Sequence, residues 1–337
     1  MRRRDLPTAF RADAPARLDL AGGWTDVPPF SAREGGVVVN AAIALAARAE
    51  LTIGGPVIRL VAEDLGETLE CADARGLVPD GRLDFLKAAL RMFPVQATCT
   101  LTTRADTPAG SGLGTSGAMG VALVSLLARA RHEQLDQREI AEHAYQLESD
   151  EVRNPGGRQD QYAAALGGFH RLAFRDPDVG IEPITLDPAF GAELERRIVL
   201  CYTGRSRVSG ETITRVMGAY ERGDAVVTGA LRALRDVAQA MAEALRAADL
   251  GRVAALLAEN WRRQQELDPG MRTAEMARLE GAVAAAGALG GKAAGAGAGG
   301  SMFFVAGTDV AGVADAARAA GATVLPVRWA PGGVRAW

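Results

Sequence analysis

A run of glycine and hydroxyl residues at positions 108–117 has the composition of a phosphate-binding loop. It reads Pro-Ala-Gly-Ser-Gly-Leu-Gly-Thr-Ser-Gly. The preceding segment, 95–103, is rich in β-branched residues and predicts a strand, whereas the following segment, 118–131, is apolar, lacks proline and predicts a helix. The first N–H groups of a helix have no intrahelical partners and lie at the positive end of its dipole, so they stabilise an anion. The residue types therefore predict phosphate binding at a helix N-terminus.

Two common phosphate-binding patterns do not fit this loop. No lysine follows its last glycine, as G-x-x-x-x-G-K-[ST] requires, and it does not match G-x-G-x-x-G with an acidic residue about 20 positions later. A glycine- and serine-rich turn that leads into a helix without binding any ligand is the structural alternative. Other segments of the chain are needed to decide between them.

Three further segments place polar residues beside glycines. Residues 14–30 read as a short strand that runs into glycines, a threonine and an aspartate. Residues 148–168 contain Asn-Pro-Gly-Gly-Arg-Gln-Asp-Gln-Tyr. Residues 290–301 are rich in glycine and alanine, include Lys292, and precede an apolar strand at 302–305.

In their order along the chain, the four segments resemble the signature regions of the GHMP kinases, the superfamily of galactokinase, homoserine kinase, mevalonate kinase and phosphomevalonate kinase. The resemblance spans about residues 12–305. Within the superfamily, Arg-Leu-Asp-Leu-Ala-Gly-Gly-Trp-Thr-Asp from Arg17 and Gly-Arg-Gln-Asp-Gln-Tyr from Gly157 look like the sugar 1-kinases. The resemblance implies an α+β, two-domain GHMP kinase fold, with a ribosomal-protein-S5-like N-terminal domain and a ferredoxin-like C-terminal domain.

The elements that must position these segments follow from periodicity. Residues 12–105 read as strand-rich with a helix near 83–93, and residues 107–180 as loop, helix, helix and turn. A Pro/Asp-rich stretch at 176–188 predicts the boundary between an N-terminal domain, 1–180, which carries the ATP phosphate loop, and a C-terminal domain, 181–337. The C-terminal half predicts strands at 197–202, 301–306 and 322–328 and helices at 209–222, 224–247, 250–267, 272–287 and 309–320.

Phosphoryl transfer needs neutralised phosphates, a positioned metal and an oriented nucleophile. The resemblance implies that ATP is held by Pro108, Gly110, Ser111, Gly112, Leu113, Gly114, Thr115, Ser116 and Gly117. It also implies that Mg²⁺, which prefers hard oxygen ligands, is bound by the Ser116 hydroxyl and the Glu148 carboxylate. Glu148 lies 12 residues before Asp160, the interval found in galactokinase-like chains. Alternatively, Glu148 is a solvated helix charge beside Asp150 and Glu151.

The resemblance makes Asp160 the candidate catalytic base and Arg17 its partner. An arginine beside a carboxylate favours the ionised form, which can then accept the proton of the attacking hydroxyl while the arginine offsets phosphoryl charge. The sequence leaves open whether Asp160 takes the proton or mainly orients the hydroxyl. The structural alternative is that Asp160 caps a helix that begins near Gln161.

The resemblance also implies a sugar site. Its candidate residues are Asp26, Thr25, Trp24, Gly157, Gln159, Arg207 and Gly297. Asp26 would accept hydrogen bonds from sugar hydroxyls, or it forms a local Asx turn before Pro28. Trp24 either stacks on a sugar or belongs to the core. Lys292 and the glycines after it are expected to line the site, although alanine stands at position 298, where the family usually has a glycine whose conformations alanine cannot adopt cheaply.

The sequence gives two conflicting indications of the substrate. The segment from Leu18 looks more like L-fucokinase, whereas Gln159 to Phe169 and Gly287 to Lys292 look more like the heptose 7-phosphate kinases. We expect D-glycero-D-manno-heptose 7-phosphate, converted to the 1,7-bisphosphate. L-fucokinases usually carry a fused partner domain, whereas the heptose enzymes stand alone at about the length of this chain. A second phosphate needs cations, and the candidates are Arg33, Arg158, Arg205 and Arg207, unless these are ordinary surface charges.

Other functions are possible on the same fold. They are a kinase for L-fucose or another unphosphorylated sugar, a kinase for a non-sugar alcohol, and a sugar sensor without turnover. Aspartate at position 26 argues against the non-sugar alcohol, and the presence of Arg17, Ser116, Glu148 and Asp160 argues for turnover.

Composition indicates a globular enzyme. The chain has 337 residues, 48% of them hydrophobic, and a net charge of −3, which gives no electrostatic case for nucleic acid or membrane partners. Three widely spaced cysteines predict buried thiols rather than disulfides or a zinc site. The longest apolar run, 36–47, is too short to span a bilayer. We expect a cytoplasmic monomer or homodimer whose partner is a small sugar or sugar phosphate.

Overall fold

The computed structural model describes residues 9–152, 155–204 and 210–337. Twelve strands lie in these ranges and form two sheets. They are β1 (Ala9–Ala21), β2 (Gly36–Ile53), β3 (Ile58–Ala62), β4 (Glu67–Cys71), β5 (Cys99–Ala105), β6 (Phe169–Arg175), β7 (Asp178–Pro183), β8 (Ile198–Tyr202), β9 (Ala288–Ala293), β10 (Ser301–Ala306), β11 (Thr323–Leu325) and β12 (Arg335–Ala336).

Eleven α-helices lie in the same ranges, and a single π-helical turn, Leu147–Glu151, follows the fourth. Side-chain caps define several helix starts; for example, Asp136 and Glu139 form a reciprocal capping box. The helices are α1 (Phe30–Glu34), α2 (Asp84–Met92), α3 (Thr115–Ala130), α4 (Gln137–Gln146), α5 (Gln159–Leu166), α6 (Pro188–Arg197), α7 (Gly210–Glu221), α8 (Ala225–Arg246), α9 (Leu250–Gln265), α10 (Ala274–Ala285) and α11 (Val310–Ala319).

The first sheet contains the long strand β2 as its centre. Its order is β12-β1-β2-β5-β3-β4, and β6 pairs with the first part of β2 and then with β7. All of its pairings are antiparallel except that of β3 with β5. Helix α3 buries eleven of its sixteen residues, because its apolar side chains pack on this sheet and on neighbouring helices. The sheet thereby holds the loop before α3 in a fixed place.

The second sheet is antiparallel, with the order β11-β8-β10-β9. Strand β10 is buried at every position, as expected for an apolar strand at the centre of a covered sheet. A hydrophobic cluster that includes residues of β1, β2, α8 and α9 joins the two sheets. The two halves of the chain therefore share a packed interface, and β1 lies at that interface.

The predicted α+β, two-domain architecture is confirmed, whereas several elements within it differ from the sequence-based expectation. Strands β6 and β7 replace part of a predicted turn, and β9 is a strand despite its two glycines because it pairs with β10. The predicted strand at 322–328 is only three residues long, because Pro326 cannot donate a ladder hydrogen bond. Residue 180, the predicted end of the first domain, lies inside β7, so the change of sheet falls after Pro183.

Two other sequence predictions concern the interior and the membrane. Cys71, Cys99 and Cys201 are buried free thiols, as predicted. Burial raises the pKa of Cys99 to about 11 and that of Cys201 to about 12. Among the helices of the described ranges, none is both long and apolar enough to cross a membrane.

Candidate active site

A cavity of about 300 Å³ lies where the loop before α3, the start of α5 and the end of β1 meet. The loop after β9 closes it from the second sheet, and Ile213 of α7 also contacts it. Among the described residues, four carboxylates and one guanidinium make up the charged lining. The carboxylates are Asp19, Asp26, Glu148 and Asp160, and the guanidinium is that of Arg17. The cavity unites residues that are far apart in sequence.

The loop before α3 has the strand–loop–helix arrangement that its composition predicts. Gly110, Gly112 and Gly114 have φ values of 69°, 77° and 73°, a left-handed conformation that favours glycine. Gly114 occupies the N-cap position of α3, so the first N–H groups of that helix lie beside the cavity. Ser111 is 1% exposed, and its hydroxyl has no hydrogen-bond partner within the described residues. A backbone cradle with an unused hydroxyl donor fits a phosphate group.

Not every residue of the predicted loop lines the cavity. Pro108 accepts a hydrogen bond from the Ser111 N–H at 3.1 Å, and buried Leu113 accepts one from the Arg17 N–H at 3.0 Å. These two residues shape the loop, and the prediction that they contact ATP directly is not supported by their positions. The loop residues that do line the cavity are Gly110, Ser111, Gly112, Gly114, Thr115 and Ser116.

Arg17 and Asp160 form the ion pair that the sequence predicts. The Arg17 Nε donates to Asp160 Oδ1 at 2.8 Å, and its Nη1 donates to the carbonyls of Gly112 and Ala294 at 2.8 and 2.9 Å. Arg17 is almost fully buried, whereas the Asp160 side chain is 28% exposed. The guanidinium is therefore fixed by three acceptors, and the carboxylate beside it faces the cavity.

Glycines allow the close approach of α3 and α5 at this pair. A Cβ at Gly117 would lie 2.7 Å from the Asp160 Cβ, and one at Gly114 would lie 3.1 Å from the Arg17 Cγ. Gly117 thus acts as a spacer behind Asp160 rather than as a residue of the cavity wall. The alternative interpretation of Asp160 as a helix cap is wrong, because α5 begins at Gln159 and its cap position is Arg158.

Asp26, a predicted sugar contact, is a buried carboxylate that lines the cavity. Its Oδ2 accepts from the Gln159 N–H at 3.1 Å and its Oδ1 from the Gln159 Nε2 at 3.3 Å. This long-range contact with Gln159, rather than an Asx turn before Pro28, fixes the orientation of the Asp26 side chain. A Cβ at Gly157 would lie 1.9 Å from Asp26 Oδ2, so only glycine fits there. Burial, with help from the charges of Asp160 and Asp19, raises the pKa of Asp26 to about 7.

This raised pKa predicts a pH-dependent stability. Because the folded state holds the Asp26 proton more tightly than an unfolded chain with a pKa of 3.8, the stabilisation is complete below about pH 4 and is lost as the pH rises to about 7. Three pKa units correspond to an upper bound of about 4 kcal/mol. We expect Asp26→Asn to match the wild type in free energy of unfolding near pH 4 and to exceed it at pH 8. Urea denaturation of both proteins at several pH values measures this difference, and equal stability at pH 8 would contradict it.

Trp24 and Thr25 differ in their relation to the cavity. Trp24 lines it and also packs in a hydrophobic cluster with Phe30, so it belongs to the core, and its stacking on a sugar stays a prediction. The Thr25 hydroxyl donates to the Gly22 carbonyl at 2.7 Å and accepts from the Val37 N–H at 3.0 Å. Thr25 is fully buried and does not reach the cavity, so its prediction as a sugar contact is corrected to a structural role in the turn.

Glu148 and Ser116 both line the cavity, and both side chains carry oxygen atoms. Glu148 lies in the π-helical turn, and its Oε2 accepts from Gln161 Nε2 at 2.8 Å. Such turns shift side chains relative to a regular helix and are frequent at functional sites. Glu148 is therefore an oriented, half-buried residue rather than a solvated helix charge. A carboxylate and a hydroxyl beside a phosphate loop fit the donor set that Mg²⁺ prefers.

The two described arginines that were proposed for a second phosphate both lie outside the lining of the cavity. Arg158 is buried, forms ion pairs with Glu142 and Asp176, and stacks on Tyr145, so its charge is already compensated. Arg33 is 56% exposed on α1 and lies 3.7 Å from Glu221. Neither lines the cavity, and both predictions are corrected accordingly. Arg205 and Arg207 lie outside the described residues.

The loop after β9 contributes differently from the prediction. Gly295 and Ala296 line the cavity, whereas Gly297 faces Met271. Lys292 is fully buried behind the wall, and its Nζ donates to Asp19 Oδ2 at 2.7 Å. Burial lowers the pKa of Lys292, while Asp19 opposes that shift. Ala298 has a φ of 54°, so alanine here adopts the left-handed conformation at a cost of about 1 kcal/mol.

Sequence reasoning missed several residues of the site. Asp19 was detectable, because it follows Arg17 by two positions on a strand and therefore shares its face. Tyr145, Gln161 and Ile213 also line the cavity. Tyr145 and Ile213 had no local signal, since they belong to helices whose packing alone turns them inward, whereas Gln161 stands in the same signature segment as Asp160.

Two family models match the chain. The model of the GHMP kinases N terminal domain matches residues 83–168, and that of the GHMP kinases C terminal domain matches residues 241–323. The chain belongs to the GHMP kinase family, as its four signature segments predict. It is therefore an ATP-dependent phosphotransferase.

Individual relatives refine the placement within the family. The chain is 33% identical over 303 residues, 88% of each protein, to D-glycero-alpha-D-manno-heptose 7-phosphate kinase of Campylobacter jejuni. It is 28% identical to the bifunctional fucokinase/GDP-fucose pyrophosphorylase of Arabidopsis thaliana, over 78% of this chain and 26% of that protein. The crystal structure of a D-glycero-D-manno-heptose 1-phosphate kinase from Bacteroides thetaiotaomicron superposes with a TM-score of 0.81 at 28% identity, covering 97% of this chain and 98% of the other.

Proposed function

We propose that this GHMP kinase is a sugar kinase that transfers the γ-phosphoryl group of ATP to the anomeric hydroxyl of a sugar. The observation that carries the proposal is the meeting of the Arg17–Asp160 pair, the glycine loop and the buried Asp26 in one cavity. The pair supplies a carboxylate for the hydroxyl, the loop holds phosphates, and Asp26 recognises a polyol. The similarity to sugar kinases over most of the chain supports the same conclusion.

In the proposed reaction the anomeric oxygen attacks the γ-phosphorus while the bond from that phosphorus to the β-phosphate oxygen breaks. The hydroxyl proton passes to Asp160 Oδ, and ADP leaves with the electron pair of the broken bond. Arg17 orients Asp160 through its ion pair and adds positive charge beside the transferring group. Asp26 and Gln159 orient the sugar, which reduces the entropy lost on the way to the transition state.

Ser116 and Glu148 are the residues that would hold Mg²⁺ beside the phosphates. When bound, the ion neutralises charge on the phosphate oxygens. Gln161 fixes one Glu148 oxygen at 2.8 Å and thereby directs the carboxylate. The N–H groups at the start of α3 and the Ser111 hydroxyl complete the phosphate cradle.

For Ser116→Ala we expect weakened use of Mg·ATP with little change in sugar affinity. Loss of one oxygen ligand should raise the KM for Mg·ATP by roughly 10-fold, a cost near that of one hydrogen bond to a charged group. Steady-state kinetics with Mg·ATP and sugar varied separately measure both constants. If the substitution changed the sugar KM alone, Ser116 would belong to the sugar site instead.

The substrate we propose is D-glycero-D-manno-heptose 7-phosphate, converted to the 1,7-bisphosphate. Similarity to the heptose 7-phosphate kinase over 88% of both chains supports this choice. A second candidate is an unphosphorylated sugar such as L-fucose. Among the described residues, the acidic lining of the cavity and the compensated charge of Arg158 favour that candidate.

A substrate panel decides between these candidates. Coupled ATP turnover with Mg²⁺ is measured with the heptose 7-phosphate, L-fucose, galactose, mannose and glucuronate, and the product phosphate is located by NMR. Turnover of the heptose phosphate at C1 supports the favoured substrate, whereas turnover of L-fucose alone supports the second. Sugar binding by calorimetry without turnover would contradict a kinase and indicate a sensor.

A further inference from the structure

Lys292 joins the two sheets directly behind the candidate active site. It lies on β9 and its Nζ is 2.7 Å from both the carbonyl oxygen and the Oδ2 of Asp19, on β1. The side chains are 0% and 3% exposed. Because burying two charges is costly unless they are paired and hydrogen-bonded, this pair requires a definite geometry between the strands.

Strand β1 is irregular at this point. Asp19 lies opposite Asn40 of β2 and Ala21 lies opposite Val39, so Leu20 is an extra residue. A bulge of this kind interrupts the ladder and re-aims side chains. The Lys292 ammonium donates to the carbonyl of Asp19 beside the bulge, and it therefore attaches β1 where its pairing with β2 is disturbed.

Arg17 is attached to the same part of the second sheet. It precedes Asp19 by two residues and shares its face of β1, and its Nη1 donates to the carbonyl of Ala294, which directly follows β9. Two contacts, Arg17 with Ala294 and Asp19 with Lys292, thus hold β1 against the end of β9. The position of the Arg17 guanidinium, and with it the Asp160 carboxylate, depends on this attachment.

Asp19 also stabilises the turn that leads from β1 to Asp26. Its Oδ1 accepts from the Gly23 N–H at 3.3 Å, and a Cβ at Gly23 would lie 2.2 Å from its Oδ2. The Asp19 carboxylate therefore packs against the backbone that leads to Asp26 in the lining of the cavity. A shift of Asp19 would displace both ends of the site.

We propose that Lys292 is a positioning residue for phosphoryl transfer, which acts through Asp19 to hold β1 at its bulge and so places Arg17 against Asp160. The inference rests on the proposed function for the roles of Arg17 and Asp160. Lys292 does not line the cavity, so it contacts neither phosphates nor sugar. Substitution of Lys292 should therefore lower kcat and leave ATP affinity nearly unchanged.

The test compares the two fully buried lysines of the described chain. Lys87 is also 0% exposed and pairs with Asp80 and Asp84, but on α2 and away from the cavity. We expect Lys292→Met to lower kcat 10- to 100-fold and to change the KM for ATP less than threefold, measured well below its unfolding temperature. Lys87→Met, the matched control, should lower stability and leave kcat within twofold.

Two further variants test the route through Asp19. Asp19→Asn keeps the shape and removes the charge, so we expect at least a fivefold loss of kcat with ATP affinity retained. The double variant, Lys292→Met with Asp19→Asn, should be no slower than Lys292→Met alone, because both changes remove one interaction. If Lys292→Met does not fold, Asp19→Asn decides: an unchanged kcat overturns the proposal.

Hydrogen exchange provides a readout that needs no substrate. Amides of residues 12–24 should exchange faster in Lys292→Met than in the wild type, whereas Lys87→Met should leave them unchanged. Unchanged kcat per folded molecule in Lys292→Met overturns the proposal, as does a kcat loss without faster exchange in β1. If the wild type phosphorylates no sugar, the proposed function fails by itself, and the exchange comparison still decides whether Lys292 holds β1.

Discussion

Asp160→Asn is expected to lower kcat by about 10²–10⁴-fold while the KM for ATP changes less than threefold. The substitution keeps the side-chain shape but removes the group that accepts the hydroxyl proton. Arg17 retains its acceptors on Gly112 and Ala294, so the site should stay folded. Steady-state kinetics and binding of a non-hydrolysable ATP analogue measure the two effects separately.

Comparison with Asp160→Ala separates proton acceptance from orientation. The asparagine can still accept a hydrogen bond from the sugar hydroxyl, whereas alanine cannot. Equal loss in both variants identifies the charge as the essential property, and a much smaller loss in Asp160→Asn identifies orientation. Asp309→Asn makes the same chemical change at the cap of α11 and should leave kcat unaltered. A kcat within threefold of wild type in Asp160→Asn would reject Asp160 as the base.

Asp26→Ala is expected to raise the sugar KM by roughly 10- to 100-fold for each hydroxyl that the carboxylate binds. Asp26 is 2% exposed and is aligned by two hydrogen bonds from Gln159, so its carboxylate has a fixed direction that alanine cannot reproduce. The KM for ATP should change little, because the phosphate cradle lies at the start of α3. Kinetics at pH 8, where the Asp26 carboxyl with its pKa of about 7 is mostly ionised, give the largest difference.

Deoxy sugars identify the hydroxyl that Asp26 recognises. A sugar that lacks this hydroxyl should be a poor substrate of the wild type and should lose little more with Asp26→Ala. Asp315→Ala removes an exposed aspartate of α11 and serves as the control for the substitution itself. Full activity of Asp26→Ala on every sugar would overturn the sugar site and favour a non-sugar alcohol.

Local patterns were sufficient for the phosphate loop and for most helices. The glycine-rich composition before an apolar segment predicts a loop at a helix N-terminus, and the left-handed φ values at Gly110, Gly112 and Gly114 agree with it. The long helices α8 and α9 follow from apolar periodicity together with aspartate caps at 224 and 249. In contrast, β9 has little strand propensity and exists because β10 lies beside it.

By itself, the sequence determined the family and the glycine loop that leads into a helix, since these depend on residue types at fixed local spacing. The pairing of Arg17 with Asp160, which lies 143 positions away, was expected only from the family resemblance. Only the tertiary structure decided which charges are available for chemistry. Arg158 and Asp160 are only two positions apart in the sequence. The charge of Arg158 is neutralised by Glu142 and Asp176, whereas Asp160 lines the cavity. Lys292 likewise pairs with Asp19 behind the wall instead of lining it. The reason is physical: the partner that neutralises a charge comes from a distant segment, and its approach depends on packing that no local pattern encodes.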